Sequence, residues 1–305
     1  MKLIRPSRLS PGDRVAVVAA SGPVDAEKFK AGAEVLRDRY ELVYDERTLF
    51  ARSGFLAGSD FHRLQALNDA IRDPRFRAII MARGGYGLTR ILPGIDRAAL
   101  RAHAKPVVGY SDVTAFLSLS YQSGVAGVHG PMVSDFADLS QEDRWSLFDM
   151  LENPDPGEVA TGLGTLVGGV AQGPLLGGNL EVLSRLLGTD SQPDFQGAVL
   201  FLEEVGELPY RVDRLLTHLE MAGVFESVAG IVLGEFTDCD EMDEGSVREP
   251  SVEQVLFERL GRLSVPVAID GGFGHGGRKG SLPFGVLARL DAYAGVLTAL
   301  EGAVS

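Results

Sequence analysis

The sequence predicts an α/β fold whose first half is an open, mostly parallel sheet. Three features predict it. Apolar runs at 13–20 and 78–82 are continuous rather than alternating, as in strands covered on both faces. Stretches with helical spacing lie between such runs. The runs end in turns rich in glycine and serine, at the carboxyl edge where open sheets of this kind hold ligands.

The elements follow in order. The strand at 13–20 is broken by Ser21-Gly22-Pro23, and a helix is expected over 26–39 with Phe29, Ala33, Val35 and Leu36 inward. A short strand follows near Leu42-Val43-Tyr44, then a helix over 60–72 with Phe61, Leu64, Leu67, Ala70 and Ile71 near helical spacing. The strand at 78–82 runs into Arg83-Gly84-Gly85-Tyr86-Gly87, with a helix after it. Val107-Val108 is the next buried strand, and Gly109-Tyr110-Ser111-Asp112 follows directly. This is a Rossmann or flavodoxin-like arrangement. Glu152-Asn153-Pro154-Asp155-Pro156-Gly157 reads as a turn-rich linker, and glycines crowd 162–178. The expected organisation is an N-terminal α/β domain over 1–155 and a smaller mixed α/β domain over 165–305. In the second domain, helices are expected over 179–187, 211–222 and 251–260. Strands are expected at 198–202, ending in Glu203-Glu204, at 230–234, and at 265–269. The last leads into Gly271-Gly272-Phe273-Gly274-His275-Gly276-Gly277, and a hairpin over 285–300 closes the chain.

Bulk properties narrow the function. The chain has 305 residues, 45% of them hydrophobic, and no run near the roughly 18 apolar residues of a membrane helix. The N-terminal residues lack the apolar region of a signal peptide, so a cytoplasmic protein is expected. Net charge is −13, with no basic block to offset it, which argues against nucleic acid or an anionic membrane as partner. The single cysteine, Cys239, excludes an internal disulfide and a multi-cysteine metal site. No His/Asp/Glu group has metal-ligand spacing, so neither metal nor organic cofactor is expected.

Ser111 stands two residues after a strand, on a turn that helix-compatible residues follow. A serine on such a turn exposes its hydroxyl above the sheet edge, near the first helical N–H groups. It therefore reads either as a nucleophile or as a helix N-cap with Asp112 in the first turn. Gly109 matches the first glycine of the G-x-S-x-G elbow, while Val113 stands where the second would be. A serine nucleophile needs a base held by a third group. His62 and His218 fall in expected helices, His103 at a polar helix end, and His129 at a strand end where it could line a site. Gly272, Gly274, Gly276 and Gly277 surround His275, and such a loop lets a ligand approach the backbone closely. Glu203 and Glu204 both follow an apolar strand and point to opposite faces, so spacing does not choose between them. Glycines at 84–87 and the amide of Asp112 could supply oxyanion donors. The phosphate-loop patterns are unmatched there. Arg83 could hold a substrate carboxylate or form a surface pair.

Several stretches together resemble one family, the LD-carboxypeptidases, serine peptidases with a Ser-Glu-His triad. They are Gly58-Ser59-Asp60, Arg83-Gly84-Gly85-Tyr86-Gly87 with Arg90-Ile91-Leu92, Gly109-Tyr110-Ser111-Asp112-Val113-Thr114, and His129-Gly130-Pro131. Further on come Gly177-Gly178-Asn179-Leu180, the run from Leu200 to Glu207, Tyr210-Arg211-Val212-Asp213-Arg214, and Gly274-His275. The resemblance implies Ser111 as nucleophile, His275 as base, Glu203 rather than Glu204 as orienting acid, and amides near Gly85 and at Asp112 as the oxyanion hole. Arg83, Tyr86, Gly178 and Asn179 are expected on the substrate, and a homodimer is expected in solution. The implied reaction removes the terminal D-alanine of murein tetrapeptide in cytoplasmic cell-wall recycling. A second branch cleaves microcin C-type peptide-nucleotides and gives self-immunity. Outside the family, a non-catalytic protein binding a peptide or nucleotide, or an amidase acting on another linkage, fits the same residues.

Overall fold

A computed structural model describes residues 2–240 and 250–305. Its first half alternates strand and helix. β1 (Arg14–Val18) leads to α1 (Ala26–Arg37), β2 (Glu41–Val43), α2 (Glu46–Leu49), α3 (Asp60–Arg72) and β3 (Ala78–Met81). α4 (Leu88–Ile91), α5 (Arg97–Ala102), β4 (Val107–Val108), α6 (Thr114–Gln122), β5 (Gly127–His129) and α7 (Gln141–Glu152) follow. The second half holds β6 (Gly157–Thr161), β7 (Gly164–Val167), β8 (Val170–Asn179), α8 (Leu180–Leu186), β9 (Val199–Val205), α9 (Pro209–Met221), α10 (Val224–Ser227) and β10 (Gly230–Thr237). It ends with α11 (Val252–Leu260), β11 (Val267–Ile269), β12 (Leu282–Phe284), β13 (Leu287–Asp291) and β14 (Val296–Ala299).

Among the described residues the strands form two sheets. The first has the order β12-β5-β4-β3-β1-β2. Its pairings are parallel from β5 to β2, as the continuous apolar runs require, and only β12 is antiparallel. The second has the order β6-β14-β13-β8-β9-β10-β11-β7, with a parallel centre and antiparallel flanks. The glycine-crowded segment at 162–178 thus supplies strands. β12 comes from late in the chain yet completes the first sheet, because residues 270–281 carry the backbone across from β11.

Burial follows the alternation of the strands. Val15, Val17 and Ile80 face Phe29, Ala33 and Leu36 of α1. Ala16, Val18, Ile79 and Met81 face Leu67 and Ile71 of α3. That second cluster continues through Phe116, Leu175, Phe201 and Phe284, so one apolar core underlies both sheets. Each such large side chain stabilises the fold by about 1.5–3 kcal/mol relative to exposure. Two expectations change. Phe61, assigned to the inner face of α3, is 68% exposed, and Arg63 is buried instead. β9 does not end before Glu203-Glu204 but runs through both to Val205. No helix among the described residues is long and apolar enough to cross a membrane.

Candidate active site

The turn after β4 is built for a side chain that stands clear of the chain. Ser111 has φ 62°, the left-handed region that a non-glycine residue enters at a cost on the order of 1 kcal/mol or more. Its side chain caps no helix: the short 3₁₀ turn over Ser111–Val113 has Tyr110 at its N-cap and no capping side-chain bond. The departure from the elbow pattern has a steric explanation. A Cβ on Gly109 would meet Val113 Cγ1 at 2.8 Å, so the single glycine gives clearance to the valine. Gly84 closes over the serine from β3, where an added Cβ would lie 3.0 Å from Ser111 Oγ.

The loop beneath is fixed from two sides. The buried Arg63 guanidinium donates to the carbonyls of Ala20 and Gly87 and pairs with Asp60. Asp112, also buried, accepts from the backbone N–H of Leu88 at 2.9 Å, and burial raises its carboxyl above the ordinary range. The N–H groups of Gly85 and Asp112 donate to no acceptor among the described residues, which leaves both available. Gly85 has φ +118°, a conformation that glycine adopts freely.

The other half of the site comes from the second sheet. Successive residues of β9 point to opposite faces. Glu203, wholly buried, turns toward the glycine loop, and its Oε2 lies 2.7 Å from His275 Nδ1. Glu204 turns away; its carboxylate accepts from Asn179 Nδ2 at 2.9 Å, from the N–H of Glu181 at 2.7 Å and from the N–H of Val205 at 2.8 Å. A carboxylate at Nδ1 assigns the ring proton there and leaves Nε2 as the basic nitrogen. The His275 ring packs on Tyr110, centroid to centroid 4.8 Å, and Tyr110 immediately precedes Ser111. Tyr110 is itself tied by its hydroxyl to Asp135 at 3.1 Å. Ser111 Oγ makes no hydrogen bond with His275 in this structure; such contacts commonly close only when substrate is bound.

The remaining histidines lie apart or are masked from solvent. His62 and His218 are exposed on α3 and α9, and His103 is exposed after α5. His129 ends β5 as a buried ring against Tyr110, Phe201 and Phe273, with Nδ1 unpartnered. Burial, with a smaller contribution from His275, pushes it down to about 3, so it stays neutral.

Two clefts share Gly85 and Tyr86, on the glycine turn after β3. The larger, about 1030 Å³, runs between α4 and α8 and includes Asp112, Glu181 and Arg185. The smaller, about 620 Å³, is edged by Arg52, Phe55 and Arg83. Arg83 is exposed and donates to the carbonyl of Pro23 at 2.8 Å, with no carboxylate partner among the described residues. Tyr86, 47% exposed, packs beside Phe55. Asn179 does not reach either cleft as a free group. It caps α8 and is consumed by Val182 and Glu204. Gly178 has a Cβ position only 2.4 Å from Thr114 Oγ1, a close approach of β8 to α6.

Arg63 is the residue that periodicity missed. Its only signal is an arginine inside the inward stripe of α3, which a count of apolar positions passes over.

Comparisons with known proteins agree with this architecture. Residues 15–130 match the LD-carboxypeptidase N-terminal domain, and residues 172–290 match the LD-carboxypeptidase C-terminal domain. A Synechocystis protein named only as a carboxypeptidase is 40% identical, covering 97% of this chain and 97% of its own. The crystal structure of muramoyltetrapeptide carboxypeptidase from Oxalobacter formigenes superposes with a TM-score of 0.82 at 31% identity, covering 95% of this chain and 98% of that one. A microcin C7 self-immunity protein from Escherichia coli is 28% identical over 93% of this chain and 92% of its own.

Proposed function

The chain belongs to the LD-carboxypeptidase family, and from that premise we propose a serine carboxypeptidase acting in the cytoplasm on murein tetrapeptide, releasing its terminal D-alanine by hydrolysis of the L,D-peptide bond. The observation that carries the reading is the 2.7 Å pairing of His275 Nδ1 with buried Glu203, one ring away from a serine in a strained conformation.

His275 Nε2 takes the Ser111 proton as Oγ attacks the scissile carbonyl. Glu203 keeps the ring oriented and stabilises the imidazolium that forms. The amides of Gly85 and Asp112 donate to the developing oxyanion, and Gly84 keeps the approach clear of side chains. His275 then gives its proton to the departing amine, and water, activated by the same histidine, releases the acyl group from Ser111. An exopeptidase must also recognise a free carboxylate on the leaving side. Arg83, charged and without a carboxylate partner among the described residues, supplies it at the smaller cleft, with Tyr86 on the rim. Gly178 and Asn179 act on substrate only through the shape they give the start of α8.

Incubation of murein tetrapeptide with the protein and EDTA, followed by mass analysis of the products, tests the reading. Tripeptide and D-alanine are expected, and Ser111→Ala should lower kcat by about a thousandfold or more. Equal rates for parent and variant would remove Ser111 from the reaction. Arg83→Ala should raise KM by roughly tenfold with kcat little changed, since a charge-assisted bond contributes about 1.5–3 kcal/mol. An unchanged KM would remove that role.

The extended match to a self-immunity protein supports one second reading, hydrolysis of a microcin C-type peptide-nucleotide. It predicts a higher kcat/KM on an aminoacyl sulfamoyl nucleoside than on the tetrapeptide.

A further inference from the structure

Ser111 hangs from the first sheet and Glu203 from the second, so His275 must be registered to both. Its loop is the segment that crosses between them, from β11 of the second sheet to β12 of the first. On the second-sheet side the attachments include the Glu203 pair, the N–H of Arg278, which donates to Glu235 Oε1 at 3.1 Å, and two backbone bonds to β10, from the N–H of Gly271 to the Leu233 carbonyl at 2.8 Å and from the N–H of Glu235 to the Phe273 carbonyl at 2.9 Å. Within the loop, Lys279 Nζ donates to the carbonyls of His275 and Gly276, and the N–H of Gly280 to that of Gly272.

On the first-sheet side the loop is held by α7. Arg278 Nε donates to Asp143 Oδ1 at 3.1 Å, and its Nη2 lies 2.9 Å from Glu142 Oε1. The N–H of Ser281 donates to Ser146 Oγ at 2.9 Å. Asp143 is not a surface partner. Its side chain is 1% exposed and is aimed by a 2.9 Å bond from Ser140 Oγ to its other oxygen. Glu142, at 76% exposure, is the kind of pair that contributes little. A buried carboxylate aimed in advance at an arginine fixes where that arginine, and the backbone carrying it, must lie.

We propose that the Arg278–Asp143 pair is a latch between the two halves of the molecule, and that Arg278 is a positioning residue setting the distance from His275 to Ser111. The inference rests on the serine-peptidase reading above. The latch touches neither substrate nor reacting atoms. It sets the rate of proton removal from Ser111 and leaves substrate affinity alone.

The test compares the parent, Arg278→Ala, Arg278→Lys and the control Arg72→Ala, which breaks an exposed ion pair elsewhere. Steady-state kinetics on the tetrapeptide are read together with the rate of Ser111 labelling by diisopropyl fluorophosphate, normalised to folded protein. Arg278→Ala should lower kcat by about tenfold to a hundredfold, keep KM within about threefold, and slow labelling to match. Arg278→Lys, which keeps the charge but not the fork, should recover part of both rates. Arg72→Ala should behave as the parent. If Arg278→Ala is too unstable to assay, an Arg278→Lys variant at parental rates overturns the latch. So does loss of activity that only follows loss of folded protein, with labelling per folded molecule unchanged. A parent that turns over tetrapeptide through Ser111 while Arg278→Ala keeps its kcat refutes the latch alone. A parent that neither turns over nor labels refutes the latch and the peptidase reading together.

Discussion

Burial pushes the Glu204 carboxyl up to about 7 from an ordinary 4.5, against the lowering effect of the three N–H donors it receives. Its charged form is therefore disfavoured in the fold. The folded pKa lies above the unfolded one, so its contribution to stability is complete below about 4.5 and is lost as pH rises through about 7. Full loss amounts to about 3 kcal/mol at one pKa unit per 1.36 kcal/mol. Glu204→Gln removes the titration. The stability of the variant relative to the parent, measured by denaturant unfolding from pH 5 to pH 8.5, should grow as pH rises, whatever constant offset the amide introduces. A difference that stays flat would contradict the assignment. Strand alternation made it legible that only one of Glu203 and Glu204 could face His275, and the family resemblance named Glu203. What was not legible is the second job of Glu204. Its partners there, the Asn179 side chain at the end of β8 and the N–H of Glu181 at the start of α8, reach it through parallel pairing of β8 with β9.

At the scale of elements, the strands and helices that position the site follow from local pattern. Continuous apolar runs give β1 and β3, helical spacing gives α1 and α3, and glycines mark the loops at the sheet edge. The sequence signal fails where tertiary contact reverses polarity. Phe61, expected on the inner stripe, is exposed and Arg63 is buried, because α3 must satisfy two backbone carbonyls of the loops after β1 and β3. The glycine loop around His275 is the clearest case of a legible element with an illegible reason. Gly274 has φ +114°, and an added Cβ would lie 2.9 Å from Glu203 Oε2. Gly277 has open space around its Cβ position. Gly274→Ala should therefore destabilise the protein by at least about 1 kcal/mol and reduce kcat sharply, while Gly277→Ala changes both little. Denaturant titration and tetrapeptide kinetics on the two variants would show it. Equal effects would mean that the pair does not depend on close approach at residue 274.

At the scale of the whole molecule, a reader of the sequence sees two α/β halves in succession, whereas the chain returns to the first sheet at the end. β12 pairs with β5, and one apolar core runs beneath both sheets. That return could not be read from composition or periodicity, because an edge strand of three residues carries almost no local signal. It is nonetheless what brings a histidine from late in the chain toward a serine from the first half. The net charge of −13 leaves this geometry untouched; the local cations at 52 and 83 are what a carboxylate-bearing substrate would meet. In the proposed reaction Ser111, Glu203 and His275 work as one unit, and residues that act as a unit do not lose activity additively. The most direct measurement is kcat on tetrapeptide for Ser111→Ala, His275→Ala and the double variant. The double variant should be no slower than the slower single variant. A double variant slowed by the product of the two single factors would show two independent contributions and contradict the triad.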